Sequence, residues 1–147
     1  MSYQEKRSLV SLTGTIIIFA IYYTSVMKLF HKLPEAEPNL AFWGRAVLIL
    51  IPVLVVPKIV IHLLFNIINH IATKEEEPGT MDEMDKLIDL KATRNFYHVF
   101  MMGFLAAMGL LAAGMTTATA FQTLLFSIIG AGIVMDISQL CFYRRGV

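Results

Sequence analysis

Charged residues are absent from 8–27, a run of 20 residues. A helix of about that length crosses roughly 30 Å of hydrocarbon. Lys6 and Arg7 stand before the run and Lys28 after it, so a first membrane span is expected over 8–30. A cleaved leader fits less well, because the run is long and ends in bulky "YYTSVMKLF" rather than small residues. "HKLPEAEPNLAFW" follows, and its two prolines and two glutamates make a water-exposed connection. Phe42 and Trp43 mark an interface, where aromatic rings with a polar edge prefer to sit. A second apolar run covers 41–71 and is long enough to tilt, kink or project. Pro52 and Pro57 each remove a backbone donor there and favour a kink.

"TKEEEPGTMDEMDKLIDLKATR" is a long polar segment. Beyond it the pattern turns apolar again over 95–115 and 120–143, with "TTAT" as the turn between them and "RRGV" as the end. Runs this long and continuous do not match the short alternating strands of a membrane barrel. Lipid offers no partners to backbone N–H and C=O groups, so each span must be helical. The expected fold is therefore all-α. It is a single integral membrane four-helix bundle over 1–147, built from two transmembrane hairpins joined by a charged cytoplasmic segment.

Composition agrees. The chain is 56% hydrophobic and only 16% charged, against about 25% charged in soluble domains. A formal net charge of +1 gives no footprint for nucleic acid. The distribution of charge says more. Lys6, Arg7, Lys74, Lys86, Lys91, Arg94, Arg144 and Arg145 share one side of the expected topology. Lys28, Lys32 and Arg45 fall on the other. The excess of Lys and Arg puts both termini and the central segment in the cytoplasm of a cell membrane protein. The single cysteine, Cys141, excludes an intramolecular disulfide framework.

Small residues recur in the last two spans: Gly103, Ala107, Gly109, Ala113 and Gly114, then Gly130, Ala131 and Gly132. They let helices approach closely. The short turn favours packing of these spans on each other, and a homo-oligomer seam is the other use of such a face.

Three ionisable residues fall inside the spans. A charge at mid-helix costs about 2.5–3.5 kcal/mol on insertion scales unless it meets protein, water or an opposite charge. Asp136 lies eight residues before Arg144, about 12 Å inside the end at 1.5 Å per residue. His62 lies eight residues before His70, at a similar depth, and Lys58 is one turn away on the same face. Lys58 is expected to pair with Asp136 across the second and fourth helices, with His62 beside them. A fixed pair that locks helix register, a lysine that snorkels to an interface, and a proton- or ligand-binding site are the three uses of such a cluster. His98 lies just inside the third span. Two histidines on facing helices can ligate haem, but no further haem or metal motif accompanies them, so neither cofactor nor metal is expected.

In the polar segment "KEEEPGT" breaks structure, and an amphipathic helix is expected over 80–94. Thr80 and Glu83 fit a capping box, Asp82 and Lys86 are spaced i,i+4, and Met84, Leu87, Ile88 and Leu90 form a partly apolar side. That side suits docking on the hairpin ends or on a partner. "DEMDKLIDLKATR" resembles the loop of a family of small prokaryotic membrane proteins of unknown function with a "DER(D/E)xxI" motif between two helical hairpins. The matching residues are Asp82, Glu83, Asp85, Ile88, Lys91 and Arg94, while Met84 stands where the family has arginine. The resemblance implies a four-helix membrane protein and no activity.

Three functions compete at this level. The first is a non-enzymatic subunit, scaffold or sensor engaging a protein partner through its cytoplasmic helix; phosphate-binding, nucleophile and metal-ligand motifs are lacking in the sequence. The second is a small proton-coupled transporter or channel using Lys58, His62 and Asp136, though the first span has no acid of the kind four-helix multidrug transporters use. The third is a membrane enzyme, with Asp82, Asp85 and Asp89 on one helical side as carboxylates for Mg²⁺.

Overall fold

Four long α-helices form where the apolar runs lie. A computed structural model describes residues 3–32, 40–73 and 83–145, side chains at a few positions excepted. The helices are α1 (Tyr3–Phe30), α2 (Leu40–Thr73), α3 (Glu83–Ala112) and α4 (Thr117–Arg145). Each is long and apolar enough to cross a membrane by length and composition. Large apolar side chains face outward along all four, Ile21, Leu48, Ile59, Leu105 and Phe126 among them. A chain in water rarely exposes so much apolar surface in continuous patches.

α2 runs unbroken through Pro52 and Pro57. Each proline lacks the N–H that the carbonyl four residues earlier would accept. α3 runs directly into the third apolar run. The amphipathic segment and the third span are one continuous helix of 30 residues, because nothing between Leu90 and Phe96 breaks a helix. Thr80 and Asp82, and with them the capping box, lie outside the described residues.

The connection between α3 and α4 is residues 113–116, three residues earlier than "TTAT" suggests. Gly114 takes φ +78°, a left-handed conformation that glycine adopts without penalty. Its N–H reaches the Leu111 carbonyl at 3.0 Å, and the Met115 N–H reaches that of Leu110 at 3.0 Å. This closes the helix end as a Schellman motif. Thr116 then caps α4: its Oγ1 accepts from the Thr119 N–H at 3.3 Å. Thr117 to Thr119 are thus already helical.

α4 is the element around which the others gather. It packs along α3 and against α1 and α2, and α1 packs against α2. Among the described residues α3 meets α4 alone. The core lies between α1, α2 and α4, where Val26, Trp43, Ala46, Leu50, Leu125 and Ile129 are buried together. Aromatic rings close one end of it: Trp43 stacks on Phe121 at 6.2 Å and tilts against Phe30 at 5.0 Å. The Tyr22 hydroxyl donates to the Ala46 carbonyl, tying α1 to α2.

Candidate functional site: the buried Asp136 cluster

Asp136 lies on α4 eleven residues after Leu125 and seven after Ile129, both in the α1–α2–α4 core. Three turns of helix bring it back to that side. Its side chain is 1% exposed. A carboxylate removed from water needs charge or hydrogen-bond partners, and two other helices supply them. Lys58 Nζ on α2 approaches Asp136 Oδ1 at 2.9 Å. Ser11 on α1 donates to the same oxygen at 3.2 Å. Thr15, one turn along α1, stands 3.4 Å from Oδ2.

The backbone makes room for this convergence at Gly14. A Cβ there would come within 2.7 Å of Ile61 Cδ1, so α1 and α2 cross closely beside the cluster. Gly132 lies one turn before Asp136 on α4, and a Cβ there would meet nothing within 4 Å. The environment of the two charges is unequal. Asp136 is fully enclosed, whereas the Lys58 side chain is 36% exposed. An enclosed carboxylate beside a partly open ammonium can hold a fixed ion pair, exchange its cation, or take up a proton.

The structure therefore brings Lys58 and Asp136 together. The side chain of His62 lies outside the described residues. His98 is exposed on α3, which makes no described contact with α2. Among the described residues no three His, Cys, Asp or Glu side chains converge as a metal would require. Ser11 and Thr15 escaped the sequence reading. The signal available was their spacing, since Ser8, Ser11 and Thr15 recur every three or four residues in an otherwise apolar span.

The second cluster of sequence-selected residues lies in the first turns of α3. Asp82 is outside the described residues and Glu83 begins the helix. Ile88 and Ala92 are buried, and the polar neighbours on that side are engaged by α4. Gln139 donates to Asp89 at 3.0 Å, Asn95 donates to Ser138 at 3.0 Å, and Tyr143 is hydrogen-bonded to Asp85. Lys91 Nζ stands 5.7 Å from the Phe142 ring centroid, within range of a cation–π contact. These contacts dock the amphipathic segment on the end of α4. α4 side chains thus contact Asp85 and Asp89, while Asp82, the third carboxylate of that group, lies outside the described residues. On the opposite side Lys86, Leu87, Leu90 and Arg94 remain exposed, and Met84, one turn before Ile88, is exposed too.

Compared with known protein families, curated proteins and solved structures, the chain matches none of them. The resemblance through residues 82–94 therefore rests on those residues alone.

Proposed function

We propose that the chain is a non-enzymatic multi-pass protein of the cell membrane that serves as a small subunit, scaffold or sensor. In this reading α1–α2 and α3–α4 are two transmembrane hairpins, and both termini and the segment before α3 are cytoplasmic. A protein partner binds the outward side of the first turns of α3. One observation carries the reading: α3 is a single helix whose inward side is filled by α4, while Leu87 and Leu90 stay 46–68% exposed between Lys86 and Arg94. Thirty residues make a rod of about 45 Å, roughly 15 Å longer than the hydrocarbon layer. Its first turns therefore project into the cytoplasm, and a partner held there is rigidly coupled to the membrane. Kinship with the prokaryotic hairpin–loop–hairpin family belongs to the same proposal.

A photo-crosslinking residue placed at Leu90 in native membranes, with Leu105 as the lipid-facing comparison, tests this. A discrete protein adduct at Leu90, lost on Leu87→Glu, is the expected result. Lipid adducts at both positions would overturn the partner reading. Orientation is tested separately: a reporter after Val147 that is active only outside the cell would reverse the topology.

The Asp136 cluster favours a second reading, a proton- or ion-coupled transporter or channel built on Lys58, His62 and Asp136. Ionisable groups enclosed among membrane helices commonly mark such paths.

A further inference from the structure

We propose that Asp136, Ser11 and Thr15 form a sodium-binding site in which the Lys58 ammonium is a resident, displaceable competitor. The inference goes beyond partner binding and does not depend on it.

The donor set comes first. Asp136 supplies two carboxylate oxygens, Ser11 and Thr15 supply hydroxyls, and the Ser11 carbonyl lies at the same turn of α1. All are hard oxygen ligands, which suit alkali and alkaline-earth ions. A single carboxylate balances one positive charge. That matches sodium, or the lysine that now stands there, and falls short of a divalent ion.

The hydroxyl protons point the same way. Thr15 Oγ1 is 2.9 Å from the Ser11 carbonyl and 3.4 Å from Asp136 Oδ2. A hydroxyl has one proton to donate, and the nearer carbonyl claims it in the usual i−4 back-bond of helical threonine. The Thr15 hydrogen bond to Asp136 Oδ2, at 3.4 Å, is then the long and weak one. A cation seated between the two oxygens replaces that weak bond with two ligands.

Displacement of Lys58 is structurally simple. Among the described residues the ammonium is paired with Oδ1 alone, and its side chain is partly open. Ser11 and Thr15 sit on α1, so they stay with Asp136 when α2 moves. Lys58 follows Pro57, whose missing N–H leaves the Val53 carbonyl without its helical partner and weakens α2 at that turn. Exchange of ammonium for sodium leaves the net charge of the enclosed site unchanged. At Gly132 the adjacent turn of α4 leaves open space where a side chain would be.

The test uses the full chain in detergent, comparing unfolding temperatures in sodium, potassium and choline chloride at equal ionic strength. Lys58→Met removes the competitor. Its unfolding temperature rises saturably with sodium, more than with potassium, and stays flat in choline, as expected for a ligand that binds the folded form. Wild type needs about tenfold more sodium for the same rise, since Lys58 competes. Asp136→Asn in the Lys58→Met background abolishes the response. Equal unfolding temperatures of Lys58→Met in sodium and choline overturn the proposal, and so does a response that follows pH but not sodium. A second readout keeps wild type: labelling of Lys58 by an amine-reactive reagent, read by mass spectrometry. Sodium accelerates it by freeing the ammonium from its ion pair, and equal rates in sodium and choline overturn the proposal even if Lys58→Met does not fold.

Discussion

On the side of α4 that meets α3 the contact residues are small. Ser127 abuts Gly103, and Ala131, one turn on, is fully buried. On the side that meets α1 and α2 they are large or charged: Leu125, Ile129 and Asp136. The first interface includes a close backbone approach at Gly103. The second touches through an aromatic cluster at one end and a set of directed polar contacts at the other. In the bilayer proposed for this chain, lipid is as apolar as leucine, so burial alone drives neither interface. Packing contacts and hydrogen bonds must do it. Small residues multiply the former, and Asp136 concentrates the latter on one side chain.

The largest effect belongs to the close-approach side. A Cβ at Gly103 would overlap first with Ser127 Oγ and then with Ser127 Cβ. Turning the serine aside does not relieve the second contact, so the helices must separate. Gly103→Leu is expected to destabilise the protein by about 4 kcal/mol or more, or to prevent recovery of folded material. Gly109→Leu, where a Cβ meets nothing, is the control and should stay within about 0.5 kcal/mol of wild type. Thermal unfolding in detergent reads both. Equal effects would mean that close approach is not what holds α3.

Next comes the ion pair. Lys58→Met leaves a fully enclosed carboxylate with only hydroxyl partners, and should cost about 3 kcal/mol in choline buffer. Asp136→Asn leaves the ammonium partly open to solvent, so its loss should be smaller, about 1–2 kcal/mol. Both changes together should cost less than the sum, because each single variant strands a charge that the double variant does not. Additive losses would show that the two sides of α4 differ less than their geometry suggests.

Trp43 comes third. It is 1% exposed and stacks among Phe30, Phe42 and Phe121. In a soluble core, truncation to alanine costs about 3–5 kcal/mol, part of it lost transfer from water. Within lipid or detergent that part falls away, so Trp43→Ala should cost about 2 kcal/mol by the same unfolding measurement. A loss at the soluble value would indicate that this end of the core faces water.

Much of this was legible in the chain before its fold was known, and the exceptions have physical causes. Four helices follow from long apolar runs whose length matches a bilayer. Lys58 and Asp136 could be set at neighbouring depths by counting turns from the polar ends of their helices, since helical rise is fixed. Ser11 and Thr15 could not be assigned in the same way. A hydroxyl in a helix can satisfy itself on its own backbone, as Thr13 does with Leu9, so polarity alone does not say which one turns toward a partner. The amphipathic side of 83–94 was legible too, but not its division. Ile88 faces α4 while Met84, Leu87 and Leu90 face out, and that choice depends on where α4 ends.

The smallest expected effect tests the close-approach side from the opposite direction. Asn95 and Ser138 join α3 to α4 at 3.0 Å, and both are half-buried. Interhelical hydrogen bonds of this kind average about 0.6 kcal/mol in membrane proteins, because the separated helices find other partners for the same groups. A double-mutant cycle with Asn95→Ala and Ser138→Ala should therefore give a coupling of about 0.5 kcal/mol. The two helices are already fixed along their length at Gly103, so losing one polar link leaves their geometry intact. On the other side the polar contacts are concentrated, the lysine and the hydroxyls converging on a single carboxylate. A coupling above about 2 kcal/mol for Asn95 and Ser138 would reverse the comparison. It would place the holding force of the α3–α4 interface in its polar end rather than in the small residues between.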